Sequence, residues 1–172
     1  LLTGVKPGPF VRVVGDGFDP GEFAGRAPYR HTGRYVLAMG RFVEKKGFDL
    51  LVRAFGQIAG EFPGLDLIIA GDGEERARLE QLIGELSLRD RVHLPGFVDR
   101  EKIIALYLGC EFFALPSRIE PFGIVVLEAL AAGKPVLATR SGGVVDLIED
   151  GVTGRLVEPV ETALATGMRR ML

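Results

Sequence analysis

Cysteine is nearly absent from this chain. Cys110 stands alone among 172 residues, so no internal disulfide can form. Histidine is almost as scarce: His31 and His93 lie 62 positions apart, and each reads as structural or exposed. No His or Cys cluster has ligand spacing and no Asp-x-Asp pair occurs, so a metal-dependent mechanism has no support in the sequence. No run reaches the ~18 apolar residues that a transmembrane helix needs. The first residues lack the basic segment and apolar core of a secretion signal, so none is expected there. Lys and Arg form no long stripe and the net charge is -2, which argues against nucleic acid as a partner. Gly133-Lys134 runs into Pro135 instead of Ser or Thr, so there is no Walker A loop. Gly71-Asp72-Gly73 has Arg76 where a dinucleotide fingerprint needs its third glycine, which removes a nicotinamide site.

What is present is apolar patterning and glycine. Hydrophobic residues make up 47% and charged residues 26%, the balance of one soluble, globular domain. Both ends look cut. The chain opens on Leu1-Leu2-Thr3 without Met and stops at Met171-Leu172 inside a helical pattern, so a piece of a larger protein is expected. Cys110, beside the apolar run Phe112-Phe113-Ala114-Leu115, is expected in the core.

Strand patterns fall at 10–14, 35–39, 65–70, 91–94, 110–115, 135–138 and 154–157. Helical patterns fall at 47–62, 74–86, 100–108, 122–132, 144–149 and 161–171. The segment 19–33 reads as a loop or linker. Alternation of this kind implies an α/β fold: a three-layer, Rossmann-like sandwich with a mostly parallel sheet. Ligands of such sheets bind outside the carboxyl ends of the strands. The Gly-rich turns sit at those ends: Gly15-Asp16-Gly17, Gly71-Asp72-Gly73, Pro95-Gly96 and Ser141-Gly142-Gly143.

Two segments carry chemistry. In Gly40-Arg41-Phe42-Val43-Glu44-Lys45-Lys46-Gly47, Arg41 and Lys46 stand five apart after a strand. The Arg fork and the Lys point charge suit a diphosphate; the bland alternative is a solvated basic turn pairing with Glu44. The second segment runs from Glu120 to Pro135. It holds two carboxylates eight positions apart, and Glu128 is the one ionisable residue between Phe122 and Ala132. Burying such a group is costly unless it is hydrogen-bonded. A helix starting near Phe122-Gly123 would offer free N–H groups to an anion, with Gly123 admitting it close to the backbone. The carboxylates would then accept from hydroxyls on either side. The bland alternative is that Glu128 meets a Lys or Arg in the core. Thr139–Asp146 offers a further set of N–H groups near the same edge, or simply a capped loop.

Together these segments resemble the donor domain of retaining glycosyltransferases of the GT-B fold, the glycosyltransferase family 4 or "glycosyl transferases group 1". The resemblance runs from Val11 to Pro159 and rests on an ordered series: GRFVEKKG, LIIAGDGEE, RVHLPGFV, ALPSRIEPFGIVVLEALAAGKPVLAT and SGGVVDLIEDGVTGRLV, with Glu120 and Glu128 matching E-x7-E. Two positions depart from the pattern: Asp16 stands where Asn is usual, and Asp146 where Glu is usual. The resemblance implies one half of a GT-B fold, with an acceptor-binding N-terminal domain outside this chain. It implies that Arg41 and Lys46 hold the donor diphosphate and that Glu120 contacts the transferred sugar. The backbone of Phe122, Gly123, Ile124 and Val125 would meet sugar and phosphates, and Glu128 would accept from the ribose. Gly96 and Phe97 would line the base, and Gly71 would border the cleft. The nucleoside diphosphate sugar is then a substrate and no cofactor is expected. The acceptor hydroxyl is reached through the missing domain, in a cytoplasmic protein with room for a peripheral seat on a membrane. The isolated domain is expected to be inactive. A nucleotide-sugar epimerase of the same fold and a noncatalytic nucleotide-binding module are the alternatives.

Overall fold

The apolar runs become strands covered on both faces, as their lack of alternation requires. The computed structural model describes residues 19–172, so the expected strand at 10–14 and the Gly15-Asp16-Gly17 turn lie outside the described residues. The strands are β1 (Arg34–Met39), β2 (Leu65–Ala70), β3 (Val92–Gly96), β4 (Phe113–Leu115), β5 (Val136–Thr139) and β6 (Gly154–Val157). The helices are α1 (Phe48–Ile58), α2 (Arg76–Glu85), α3 (Arg100–Gly109), α4 (Ile124–Ala131) and α5 (Glu161–Met171). Among the described residues one six-stranded sheet has the order β3-β2-β1-β4-β5-β6, and every pair is parallel.

Alternate strand residues feed two cores. On one face Leu65, Leu67 and Ile69 meet Phe48, Leu51 and Phe55 of α1, Leu79 and Leu82 of α2 and Leu164 and Met168 of α5. On the other, Leu37, Ile68 and Phe113 meet Ile104 and Tyr107 of α3 and Val126 and Ala129 of α4. Among the described residues no helix is long and apolar enough to cross a membrane.

Several boundaries differ from the sequence pattern, each for a local reason. α1 ends at Ile58 instead of 62, because Gly60 is a poor helix former and Pro63 pushes Phe62 toward extended backbone. The strand expected at 110–115 is only three residues long. Cys110 instead closes α3, with its N–H donating to Leu106 O at 3.2 Å. Its side chain is buried, as expected, and burial pushes the thiol up to about 12. The expected α-helix at 144–149 is a 3-10 helix at Gly142–Asp146. Gly142 has φ 56° and lies so close to the next loop that a Cβ would stand 2.0 Å from Glu120 O, which leaves no room for a regular helical start. His31 and His93 are not separate in space. β2 lies between β1 and β3, so the segment before β1 and the start of β3 bring both rings to Asp66, with centroids 5.6 Å apart.

Candidate functional site

The strand order reverses between β1 and β4, and a sheet of this order opens a crevice at that point, at the carboxyl ends of the strands. The loops that follow β1 and β4 are fastened to each other there. Arg118 N–H donates to Lys45 O at 2.8 Å, and the Arg118 guanidinium grips Asp49 of α1 through two bonds of 2.8 Å. Gly47 is left-handed, with φ 65°, and a Cβ on it would lie 2.1 Å from Pro116 O. Only glycine fits that contact.

Lys46 and Glu120 meet inside this crevice. Lys46 Nζ lies 2.5 Å from Glu120 Oε2, and Ser117 Oγ donates to the same oxygen at 3.1 Å. Gly123 N–H donates to Oε1 at 3.4 Å. Glu120 is 6% exposed, so these partners are what make its burial tolerable. Thr139, at the end of β5, fixes the arrangement from below by donating to Ser117 O at 2.5 Å.

α4 begins beside this pair. Gly123 adopts φ 72°, so the first helical residue is Ile124 rather than Phe122, and Phe122 is largely exposed. The N–H groups of Ile124 and Val125 have no acceptor among the described residues, as expected for the first turn of a helix. The loop after β5 closes against the same spot: Gly143 N–H donates to Glu120 O at 3.3 Å. The neighbouring Ser141 Oγ is buried and has no hydrogen-bond partner among the described residues. Buried polar atoms without partners are rare enough to mark a place of interest.

Glu128 does face a cation, although Arg100 itself is exposed rather than in the core. Arg100, the first residue of α3, bonds Glu128 Oε1, and Tyr107 Oη donates to Oε2 at 3.2 Å. Arg100 also holds Glu22 at 2.6 and 2.8 Å. Burial, and then the Glu128 charge, push the Tyr107 phenol well above its ordinary 10.0, so it remains a donor. A carboxylate offers about four acceptor positions. Arg100 and Tyr107 take one on each oxygen, and Glu128 keeps capacity for further donors.

Arg41 stands apart from both carboxylates. It is exposed, makes no ion pair among the described residues, and lines a largely apolar cleft of about 290 Å³ with Met39, Gly71, Phe97, Val98 and Ile103. Gly71 N–H donates to Gly96 O at 2.9 Å, and a Cβ on Gly71 would lie 2.0 Å from Gly40 O. The glycines thus seal three strand ends together, and the 90%-exposed Phe97 ring projects over them. A larger groove of about 370 Å³ runs between β6 and α5, lined by Arg155, Glu158 and Arg170. None of the expected residues lies in it.

The structure therefore gathers Lys46, Glu120 and Gly123 at one point and Arg41, Gly71, Gly96 and Phe97 at an adjoining one. Glu128 sits in a side network of its own. Ser117, Arg100 and Tyr107 were not singled out from sequence, and Thr139 only as the start of a loop offering N–H groups. Arg100 carried a faint signal, since a cation on the first turn of a helix opposes the dipole and calls for a nearby acid.

Comparison with known proteins bears on the family and the fold. The profile of the family described as "Glycosyl transferases group 1" matches residues 23–172. An alpha-D-kanosaminyltransferase from Streptomyces kanamyceticus is 40% identical over 138 residues, which is 80% of this chain and 36% of that protein. Among solved structures, sucrose-phosphate synthase from Thermosynechococcus elongatus matches with TM-score 0.81 and 32% identity over 93% of this chain and 43% of that one. The Anabaena protein HepE, solved in complex with UDP, matches with TM-score 0.73 and 34% identity, covering 80% of this chain and 38% of that one. The chain thus spans less than half the length of these relatives. With its parallel Rossmann-like sheet and these matches, the chain belongs to the group 1 family of glycosyl transferases.

Proposed function

We propose that this chain is the donor-binding part of a retaining glycosyltransferase, which moves a sugar from a nucleoside diphosphate sugar to an acceptor hydroxyl. The observation that carries the reading is the Lys46–Glu120 pair beside the free N–H groups of α4, at the point where the strand order reverses. Lys46 has three donors and spends one on Glu120, so two remain for phosphate oxygens. Arg41 makes no ion pair among the described residues and lines the adjoining cleft. With the positive end of α4 these cations would stabilise the leaving diphosphate electrostatically. Glu120 would accept from hydroxyls of the transferred sugar, and Glu128 from the ribose. Gly71, Gly96 and Phe97 would border the nucleoside. An acceptor-binding domain N-terminal to this chain would complete the cleft, in a cytoplasmic protein that works with or without a membrane surface.

The test is calorimetry of the full-length protein with UDP, GDP and ADP. UDP comes first because the Anabaena relative was solved with it. One of the three should bind, and binding should weaken at least tenfold in Arg41→Ala. A folded protein that binds none of them overturns the donor-site reading.

A further inference from the structure

A second constellation lies at the opposite end of the sheet. His31 precedes β1, Asp66 is the second residue of β2 and His93 the second of β3, so all three stand near the amino ends of the strands. His31 Nε2 is 2.7 Å and His93 Nε2 3.0 Å from the same oxygen, Asp66 Oδ2. The three atoms all lie within 4.8 Å of one another. We propose that His31, Asp66 and His93 form a binding site for one borderline divalent ion of the Zn²⁺ class.

Four features carry the assignment. First, the ligand atoms are nearly in place. A tetrahedral ion with bonds of about 2.0–2.1 Å sets its ligands ~3.4 Å apart, so Asp66 Oδ2 must draw back by about 0.7 Å from His31 and about 0.4 Å from His93. Second, the carboxylate is pre-oriented. Arg91 Nε takes Asp66 Oδ1 at 3.1 Å, while the Arg91 guanidinium is itself held by the carbonyls of Phe62 and Leu65. That leaves Oδ2 turned toward the rings. Third, both rings can supply a lone pair. Asp66 Oδ2 is an acceptor, so without an ion both Nε2 atoms carry hydrogen. Neither Nδ1 has a partner among the described residues, and each neutral ring can shift its proton there. Fourth, a cavity of about 230 Å³ lined by Tyr29, His31, His93 and Lys102 adjoins the cluster, with room for a water as fourth ligand.

Two imidazoles and one carboxylate favour Zn²⁺, Co²⁺ or Ni²⁺ over Mg²⁺ and Ca²⁺, which demand several oxygens. Arg91 offsets the carboxylate charge and weakens the site for hard cations further. The ion would tie the segment before β1 to β2 and β3. It would brace the sheet away from the donor crevice and take no part in transfer.

The full-length protein, stripped with a chelator, is titrated with Co²⁺ while visible absorption is followed, and then with Zn²⁺. The expected result is one equivalent with the intense bands of tetrahedral Co²⁺, displaced by Zn²⁺ and lost in His31→Gln/His93→Gln. The half-exposed His93→Gln alone keeps the fold by circular dichroism and weakens Zn²⁺ at least tenfold. The proposal is overturned if the folded wild type takes up no ion, or if His93→Gln takes up the same number of ions with unchanged affinity.

Discussion

Lys46 Nζ and Glu120 Oε2 lie 2.5 Å apart across the point where the sheet reverses, although 74 positions separate them in the chain. The two side chains are 20% and 8% exposed, so each neutralises a charge that water reaches poorly. The pair joins the loop after β1 to the loop after β4. It therefore links fold stability to the group expected to act on the donor.

Lys46→Met should separate these two roles. It leaves the Glu120 carboxylate buried with only Ser117 and a long contact to Gly123 N–H. Removing one partner of a buried pair costs about 3–5 kcal/mol, here near the lower end because Lys46 keeps some solvent contact. Adding Glu120→Gln removes the stranded charge and should restore most of the melting temperature. Transfer activity should stay lost in both. Recovery of stability and activity together would sink the idea that the pair serves the reaction.

Gly47→Ala tests the fastening of the loops. The substitution forces a side chain into φ 65° and into contact with Pro116 O, where a Cβ would lie 2.1 Å away. Left-handed backbone alone costs about 1–2 kcal/mol, and the clash adds to it. Denaturant unfolding should give a loss of about 2 kcal/mol or more, whereas Gly133→Ala, with φ 71° but nothing within 4 Å, should lose only the backbone part. Equal losses would show that the Pro116 contact does not matter.

Much of this was legible in the chain. Continuous apolar runs such as Leu67-Ile68-Ile69-Ala70 gave strands, and helical spacing gave α1 and α5. The carboxyl-end glycines and the Glu120 segment marked the crevice, because strand-helix alternation leaves few places for a ligand. What stayed hidden depended on tertiary proximity. Nothing local says that Arg100 reaches Glu128, or that the pairing of β2 with both β1 and β3 brings two distant histidines to Asp66. The 3-10 turn at Gly142–Asp146 escaped for the same reason: the obstacle is Glu120 O, 22 positions away.

Asp49 should contribute to acid stability. Burial raises its affinity for protons, but the bonds and charge of Arg118 outweigh this and hold the carboxyl below its ordinary 3.8. A depressed value in the folded state means the contribution is complete above about pH 3.8 and disappears as pH falls through the lower folded value. Asp49→Asn should cost about 1 kcal/mol at neutral pH. The gap to wild type should close below pH 3.8. A gap that is constant with pH would assign the loss to packing instead of charge.

The last prediction concerns Glu128. Arg100 and Tyr107 occupy one position on each of its oxygens, so a ribose must use the remaining ones. If it does, a donor lacking a ribose hydroxyl loses a bond to a charged acceptor, worth about 1.5–3 kcal/mol or roughly 10- to 150-fold in affinity. Calorimetry with the full-length protein would compare a nucleotide with its 2′- and 3′-deoxy analogues, in wild type and in Glu128→Gln. The penalty for one missing hydroxyl should shrink to a few-fold in the variant, because the two changes remove the same bond and cannot both count. Tyr107→Phe should leave most of the penalty intact, since Arg100 still orients the carboxylate. An equal penalty in wild type and Glu128→Gln would place the ribose elsewhere and leave Glu128 with only its structural bonds to Arg100 and Tyr107.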